Sequence, residues 1–458
     1  MAERSIVLAF SSAITLMILA SAAWAHASEQ GFVLLLPTDV YIAAGGATVA
    51  LTVALLAVMP GGVAGAVFRP LPLAVSPPRP RHILSLVATA VLLWLIWRGI
   101  SGPRDPMLNP LSLSVWVVFW IALVSLQGLI GDFWRWINPW SGLSALVARI
   151  TGRRAPLRYP RALGHWPGVA SFLAFAGFLL ADPAPADPAR LAVAVAVYWT
   201  LHMVGVLLFG GAWLLRAEGI TLLMRSYPRM GLLGRARGRL ALGLPGWQVL
   251  SRPMPSLSLA VLMLVLLGSG SFDGLNETFL WMGWLGLNPL EFPGRSAVIG
   301  PNLLGLLLTN LGLIAVFAIC LWLGARLAGE RAGMGLLIRR YAPTLLPIAL
   351  AYHIAHYLTS FLLDGQYVLG WLSETLGAGH VHVTAGFLNS PGPVRLIWMT
   401  QAGVVVAGHV IALLLAHAIA IRAGQSTRRA ALAQAPLALF MVAYTVFGLW
   451  LLATPRGA

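Results

Sequence analysis

The chain has 458 residues, 59% of them hydrophobic and 10% charged; water-soluble domains carry about 25% charge, so a soluble multidomain protein is excluded. Its formal charge of +16 rests on 30 basic residues, every one an arginine. The single cysteine, Cys320, excludes an intrachain disulfide, a CxxC redox pair, a cysteine zinc site and an iron–sulfur cluster, which leaves histidine, carboxylate and backbone as ligands for any metal.

Residues 1–25 read as a secretory leader. Arg4 gives a basic start, Ile6 to Ala20 an apolar core, and Ala23-Trp24-Ala25 a small-x-small cleavage site. Cleavage there makes His26 the first residue of a mature chain, 26–458, read as one integral-membrane domain. A terminal histidine offers amine and imidazole to one ion, a chelate suited to copper. Ten apolar stretches follow, at 37–60, 83–100, 111–130, 167–182, 191–213, 255–272, 301–325, 344–364, 396–421 and 434–453. A helix of about 20 residues crosses the hydrocarbon core of a bilayer. The expected fold class is therefore all-α, a polytopic membrane bundle of about ten transmembrane helices. No stretch alternates with period two, which argues against an outer-membrane barrel.

Arginine placement gives an orientation. Twenty-three of the arginines lie in loops 61–82, 131–166, 214–254, 326–343 and 422–433, as the positive-inside rule requires of cytoplasmic connections. Both mature termini then face outward. The segment Arg225 to Arg239 looks like a nucleic-acid patch in isolation. Within the alternating pattern it reads as a topology anchor that touches anionic lipid, and no nucleic-acid partner is expected.

Lipid penalises ionisable groups, so those at membrane depth are candidates for function. In chain order, Gly131-Asp132-Phe133-Trp134-Arg135-Trp136-Ile137-Asn138-Pro139-Trp140 closes the third stretch, with Asp132 and Arg135 one helical turn apart and Asn138-Pro139 ending the turn. It reads most simply as a structural corner. His202 falls midway along the fifth stretch, where a neutral imidazole bonded to a carbonyl or a serine is tolerated inside a bundle. Residues 273–300 are rich in tryptophan and phenylalanine and too short to span twice. They serve either as an interfacial anchor through Trp281 and Trp284 or as an apolar lid over an outward-facing cavity.

The densest constellation is Ala351-Tyr352-His353-Ile354-Ala355-His356-Tyr357. Histidines three apart lie on one helix face, about 4.5 Å apart along the axis. The next stretch carries His409 at similar depth and His417 about two turns nearer the cytoplasm. His353, His356 and His409 are the expected core of a metal site. Asp39, Asp273, Glu277 and Asp364 gather at the outer end, where acids at helix ends are commonly just solvated. Asp273 and Glu277 are the candidate catalytic carboxylates, and His380, His382 and His26 are further candidate ligands. Histidines with carboxylates suit Zn²⁺, Mn²⁺, Fe²⁺ or Cu²⁺, and a bound divalent ion lowers the pKa of water and polarises a phosphoryl oxygen. No GxSxG elbow, HExxH, Walker loop or CxxCH haem site occurs.

Several of these residues, in their order and spacing, carry a resemblance. Ala25-His26, Gly131-Asp132 with Arg135 and Asn138-Pro139-Trp140, Phe272-Asp273-Gly274, Pro347-Ile348-Ala349 through Ala355-His356-Tyr357, Gly408-His409-Val410 and Ala416-His417 resemble the pattern of a family of bacterial multi-spanning membrane proteins, the fenitrothion hydrolases. The likeness covers most of the chain. It implies a bacterial inner (cytoplasmic) membrane protein that hydrolyses an aryl phosphotriester of the organophosphate class, a small apolar substrate that partitions into the bilayer. The chain departs from the family pattern after His26, where Ala27-Ser28-Glu29 stands in place of an immediate glycine. The same residues also fit a metal- or proton-handling permease, a haem or copper electron carrier with imidazoles from separate helices, or an accessory subunit whose histidines are merely packed.

Overall fold

The computed structural model describes Val33 and residues 36–75, 82–152, 155–291 and 294–454. The expected leader and His26 lie outside the described residues. Each expected apolar stretch forms a helix: α1 Thr38–Val58, α2 His82–Ser101, α3 Pro110–Leu129, α4 Trp166–Ala181, α5 Pro188–Phe209, α6 Leu257–Leu275, α7 Ile299–Ala328, α8 Leu346–Thr375, α9 Pro391–Arg422 and α10 Thr427–Ala453. Among the described residues nine are long and apolar enough to cross a bilayer, and α4, with 16 residues, is the shorter tenth. The protein is an all-α polytopic membrane bundle.

Local chemistry fixes several helix starts. Asp187 accepts a hydrogen bond from the backbone N–H of Arg190 with Pro188 opening α5, and Ser256 and Ser426 cap α6 and α10 in the same way. The structure extends α8 beyond its expected end at residue 364. Gly365 is carried inside the helix, which runs on to Thr375, and the left-handed break comes only at Gly377, whose φ is +68°. A helix of 30 residues is about 45 Å long, so its last turns project past the hydrocarbon. The middle of α3, Leu113–Leu123, is wound as a π-helix, a rare form that commonly marks a working part of a helix.

Helix α6 is the hub. It packs against α4, α7 and α8 and is buried along most of its length, whereas α1 and α2 leave most of their apolar surface exposed, as lipid-facing helices do. Small residues allow close approach where lipid gives little driving force for association: Gly408 of α9 meets Ala351 and the Pro347 carbonyl of α8, and Gly324 of α7 meets the Ala433 carbonyl of α10.

A small antiparallel sheet ties two connections together. Strands β1 Leu71–Pro72, β2 Leu233–Ala236 and β3 Arg239–Leu242 run in the order β1-β3-β2. The β2–β3 hairpin turns through Arg237 and Gly238, both with positive φ, the geometry a two-residue turn of the I′ kind demands. The sheet brings loops 61–82 and 214–254 to one end of the bundle, in line with the arginine alternation. At the opposite end Arg104 and Arg190 are each ion-paired at 2.7 Å, to Asp187 and Asp182.

Candidate active site

The side chains that meet in the core come from α3, α6 and α8. Asp273, in the last turn of α6, points its carboxylate at α8. Its Oδ2 lies 3.4 Å from His356 Nε2 and accepts a 2.5 Å hydrogen bond from the Tyr357 hydroxyl. The histidine side chain is 8% exposed and the aspartate 17%. Tyr352 stacks on the His356 ring at 5.6 Å between centroids, and Tyr357 meets it edge-on at 4.7 Å. These groups, with Trp120 of α3 and Phe172 and Phe175 of α4, line a cavity with about 30 Å³ of space open to a water-sized molecule. One water needs about 10–15 Å³ on this measure. In this form the cavity has room for water, and a phosphotriester requires it to open.

The three core histidines expected to share an ion turn to three different neighbours. His353 donates from Nε2 to the Trp120 carbonyl at 3.0 Å, within the π-helical stretch of α3, and packs edge-on against the Trp120 ring. His356 faces Asp273 of α6. His409 donates from Nδ1 to the Val405 carbonyl of its own helix at 2.9 Å, lies beside Tyr444 of α10, and leaves Nε2 buried without a hydrogen-bond partner. His380 pairs with Glu374 at 3.2 Å on an exposed surface, and His382 is exposed beside it. Glu277, half-buried, lies within electrostatic reach of Tyr357. Among the described residues no three of His, Cys, Asp or Glu gather closely enough to hold an ion. Of the expected ligands among the described residues, Asp273 and His356 are the two that meet, at 3.4 Å. His417 is buried, with Nε2 unpartnered.

A second buried cluster is built around Glu218, a residue of loop 214–254 that no motif or spacing in the sequence singles out. Glu218 is fully buried. It caps the short helix Gly219–Ser226, accepting from the N–H groups of Ile220 at 2.8 Å and Thr221 at 2.6 Å and from the Tyr198 hydroxyl. Burial raises its pKa, and the bonds from Thr221, Tyr198 and the backbone pull it back. The hydrogen bonds run in one direction. Trp213 Nε1 can only donate, so His202 Nδ1 accepts at 3.0 Å and Nε2 carries the proton. That N–H meets Ser171 Oγ at 3.0 Å, which also accepts from the Gly219 N–H. The serine hydroxyl is left to donate to Tyr198, at 3.1 Å, and Tyr198 donates to Glu218. His202 is thus the neutral, serine-bonded histidine that its isolated position implied.

The Gly131–Trp140 corner docks on this cluster. Trp134 Nε1 and Asn138 Nδ2 both donate to Thr221 Oγ1 at 3.0 Å. Asn138 Oδ1 accepts from the N–H groups of Trp140 and Ser141. Asp132 accepts from Gln127 and from the backbone N–H of Arg135. The aromatic outer loop has two roles: Trp281 bonds Asn302 of α7 at 3.0 Å, while Trp284 is 66% exposed.

No protein family, no curated protein and no solved structure matches the chain.

Proposed function

We propose that this protein is a membrane-embedded hydrolase in which Asp273 and His356 activate water against an apolar ester of the aryl phosphotriester class. The observation that carries the reading is the convergence of Asp273, His356 and Tyr357 on one cavity of water size, walled by aromatic rings. Asp273 orients the neutral imidazole by accepting from Nε2–H and makes Nδ1 more basic, and Tyr357 holds the carboxylate in place. Nδ1 takes a proton from water as the water oxygen bonds to phosphorus. The phosphorus–aryloxide bond breaks, the aryloxide leaves, and the proton returns from His356 to solvent. At 3.4 Å the Asp–His pair is loose, as catalytic pairs commonly are before substrate binds. The exposed Trp284 beside the end of α6 supports lateral access from lipid. Outward orientation of the site and residence in a bacterial inner membrane follow from the same reading.

The test uses purified protein in detergent and an aryl phosphotriester that releases a coloured phenolate. Wild-type protein is expected to turn it over, and Asp273→Asn and His356→Gln to lose roughly a hundredfold or more, the usual worth of a positioned general base. Absence of turnover by folded wild-type protein, or full activity in folded His356→Gln, overturns the proposal. Proton handling by a permease is the second reading, favoured by the one-directional chain from Trp213 to Glu218. Proton uptake into proteoliposomes that depends on Tyr198 supports it, and proton-tight vesicles remove it.

A further inference from the structure

The arginine-rich end of the bundle holds a charge imbalance that the proposed chemistry does not use. Arg135, Arg225 and Arg252 each lie within electrostatic reach of Asp132, Arg229 lies within reach of Arg225 and Arg252, and Arg235 within reach of Arg135. The five come from separate segments: the corner after α3, the short helix 219–226, the turn that follows it, strand β2, and the turn before α6. Asp132 thus faces three of the five, Arg135, Arg225 and Arg252. Arg252 donates to Gln248 at 2.7 Å and Arg225 reaches the Leu215 carbonyl at 3.4 Å. Arg229 is different. It is 9% exposed, and its Nε has no hydrogen-bond partner. Burial first, then Arg252 and Arg225, pushes its pKa down to about 10, so it is charged at neutral pH. A buried guanidinium with an unmade bond among like charges is unfavourable unless an anion joins it. A simple topology anchor does not need this arrangement: Arg69, Arg149 and Arg428 on the same face are exposed.

We propose that this arginine cluster is a binding site for a phosphate-type anion, centred on the buried Arg229 with Arg225 and Arg252 near it. Guanidinium groups present paired N–H donors that match phosphate oxygens, and Arg229 Nε–H supplies one that the protein itself does not use. A phosphodiester headgroup of an anionic lipid and a free phosphate offer the same chemistry. The location among the loops at one end of the bundle makes both accessible.

Full-length protein, stripped of lipid in neutral detergent, supplies the test. Binding is measured by native mass spectrometry with phosphatidylglycerol against phosphatidylcholine, and by thermal shift with inorganic phosphate against chloride at matched ionic strength. Wild-type protein is expected to retain phosphatidylglycerol selectively, or to be stabilised by phosphate. The first result alone marks a lipid site, and the second a site open to soluble phosphate. Arg229→Gln is expected to weaken binding about tenfold or more, the loss of one charge-assisted contact. Arg252→Gln, at a half-buried position of the same cluster, gives the same direction of change if the Arg229 variant does not fold. Arg428→Gln is the charge-matched control and should bind as wild type does. Binding of neither ligand by wild-type protein, or equal weakening by the control, overturns the proposal.

Discussion

Glutamine in place of Glu218 changes one atom and tests whether the buried cluster is built around a carboxylate. Glu218 Oε1 accepts from the Ile220 N–H and the Tyr198 hydroxyl, and Oε2 accepts from the Thr221 N–H. Glutamine keeps one acceptor. Its NH₂ then confronts either the Thr221 N–H or, flipped, the Ile220 N–H, donor against donor. One fully buried N–H is left unpaired, at about 1–3 kcal/mol, and the surviving bonds lose their charge assistance, about 1 kcal/mol more. Glu218→Gln should therefore destabilise the protein by roughly 2–4 kcal/mol. The assay is thermal unfolding in detergent followed by tryptophan fluorescence. The chain has 18 tryptophans, and Trp134 and Trp213 bond directly into the cluster. A Tm lower by several degrees is expected. A Tm unchanged within about one degree would refute the reasoning, because the donors would then be satisfied without the charge.

Three further outcomes follow from the packing and the titrating groups. Gly324→Ala places a methyl against the Ala433 backbone carbonyl, which cannot move aside as a side chain does, and should cost about 1–3 kcal/mol and lower the yield of folded protein; normal yield and Tm would show that α7 and α10 are less tightly joined. His165, just before α4, has its pKa pushed down to about 4 by burial and then by Arg216 and Arg225, while its Nδ1 meets Ser256 Oγ at 2.9 Å. The folded state then binds fewer protons than the unfolded, so this stability is complete above the ordinary histidine value of about 6.5 and is lost as pH falls toward 4. Thermal unfolding at pH 7.5 and 5 should show a smaller acid loss in His165→Gln than in wild type, and equal losses would count against it. Chelation should leave turnover of the phosphotriester intact, since Asp273 and His356 act on water directly; loss on chelation and recovery with one divalent ion would replace that step.

The helices were legible because lipid makes length and apolarity the dominant signal, and ten stretches became ten helices. Their ends were less so. Asp364 read as closing the eighth stretch, yet α8 continues through Gly365 because nothing there compels a left-handed turn. On a single helix the His353–His356 spacing was readable, but three residues correspond to a rotation of about 60° between side chains. That angle sends one ring to α3 and the other to α6. Across helices the sequence has no means of giving direction, so His409, at matching depth, turns to α10 instead. Asp273 was a candidate from its position at a helix end, whereas Tyr357 as its partner and Trp120 as the anchor of His353 needed tertiary contacts. Glu218 and Ser171 carry no spacing signal; the burial of the first and the hydrogen bonds of the second to Tyr198 and His202 identify them.

The central claim is that Asp273 and His356 work as one unit, and a double-mutant cycle on phosphotriester turnover tests it most directly. Folded Asp273→Asn, His356→Gln and the combined variant are assayed beside wild type. Groups that act together are not additive, so the account predicts that the double variant is no slower than the worse single variant. Losses that multiply, or a single variant with wild-type turnover, would contradict it.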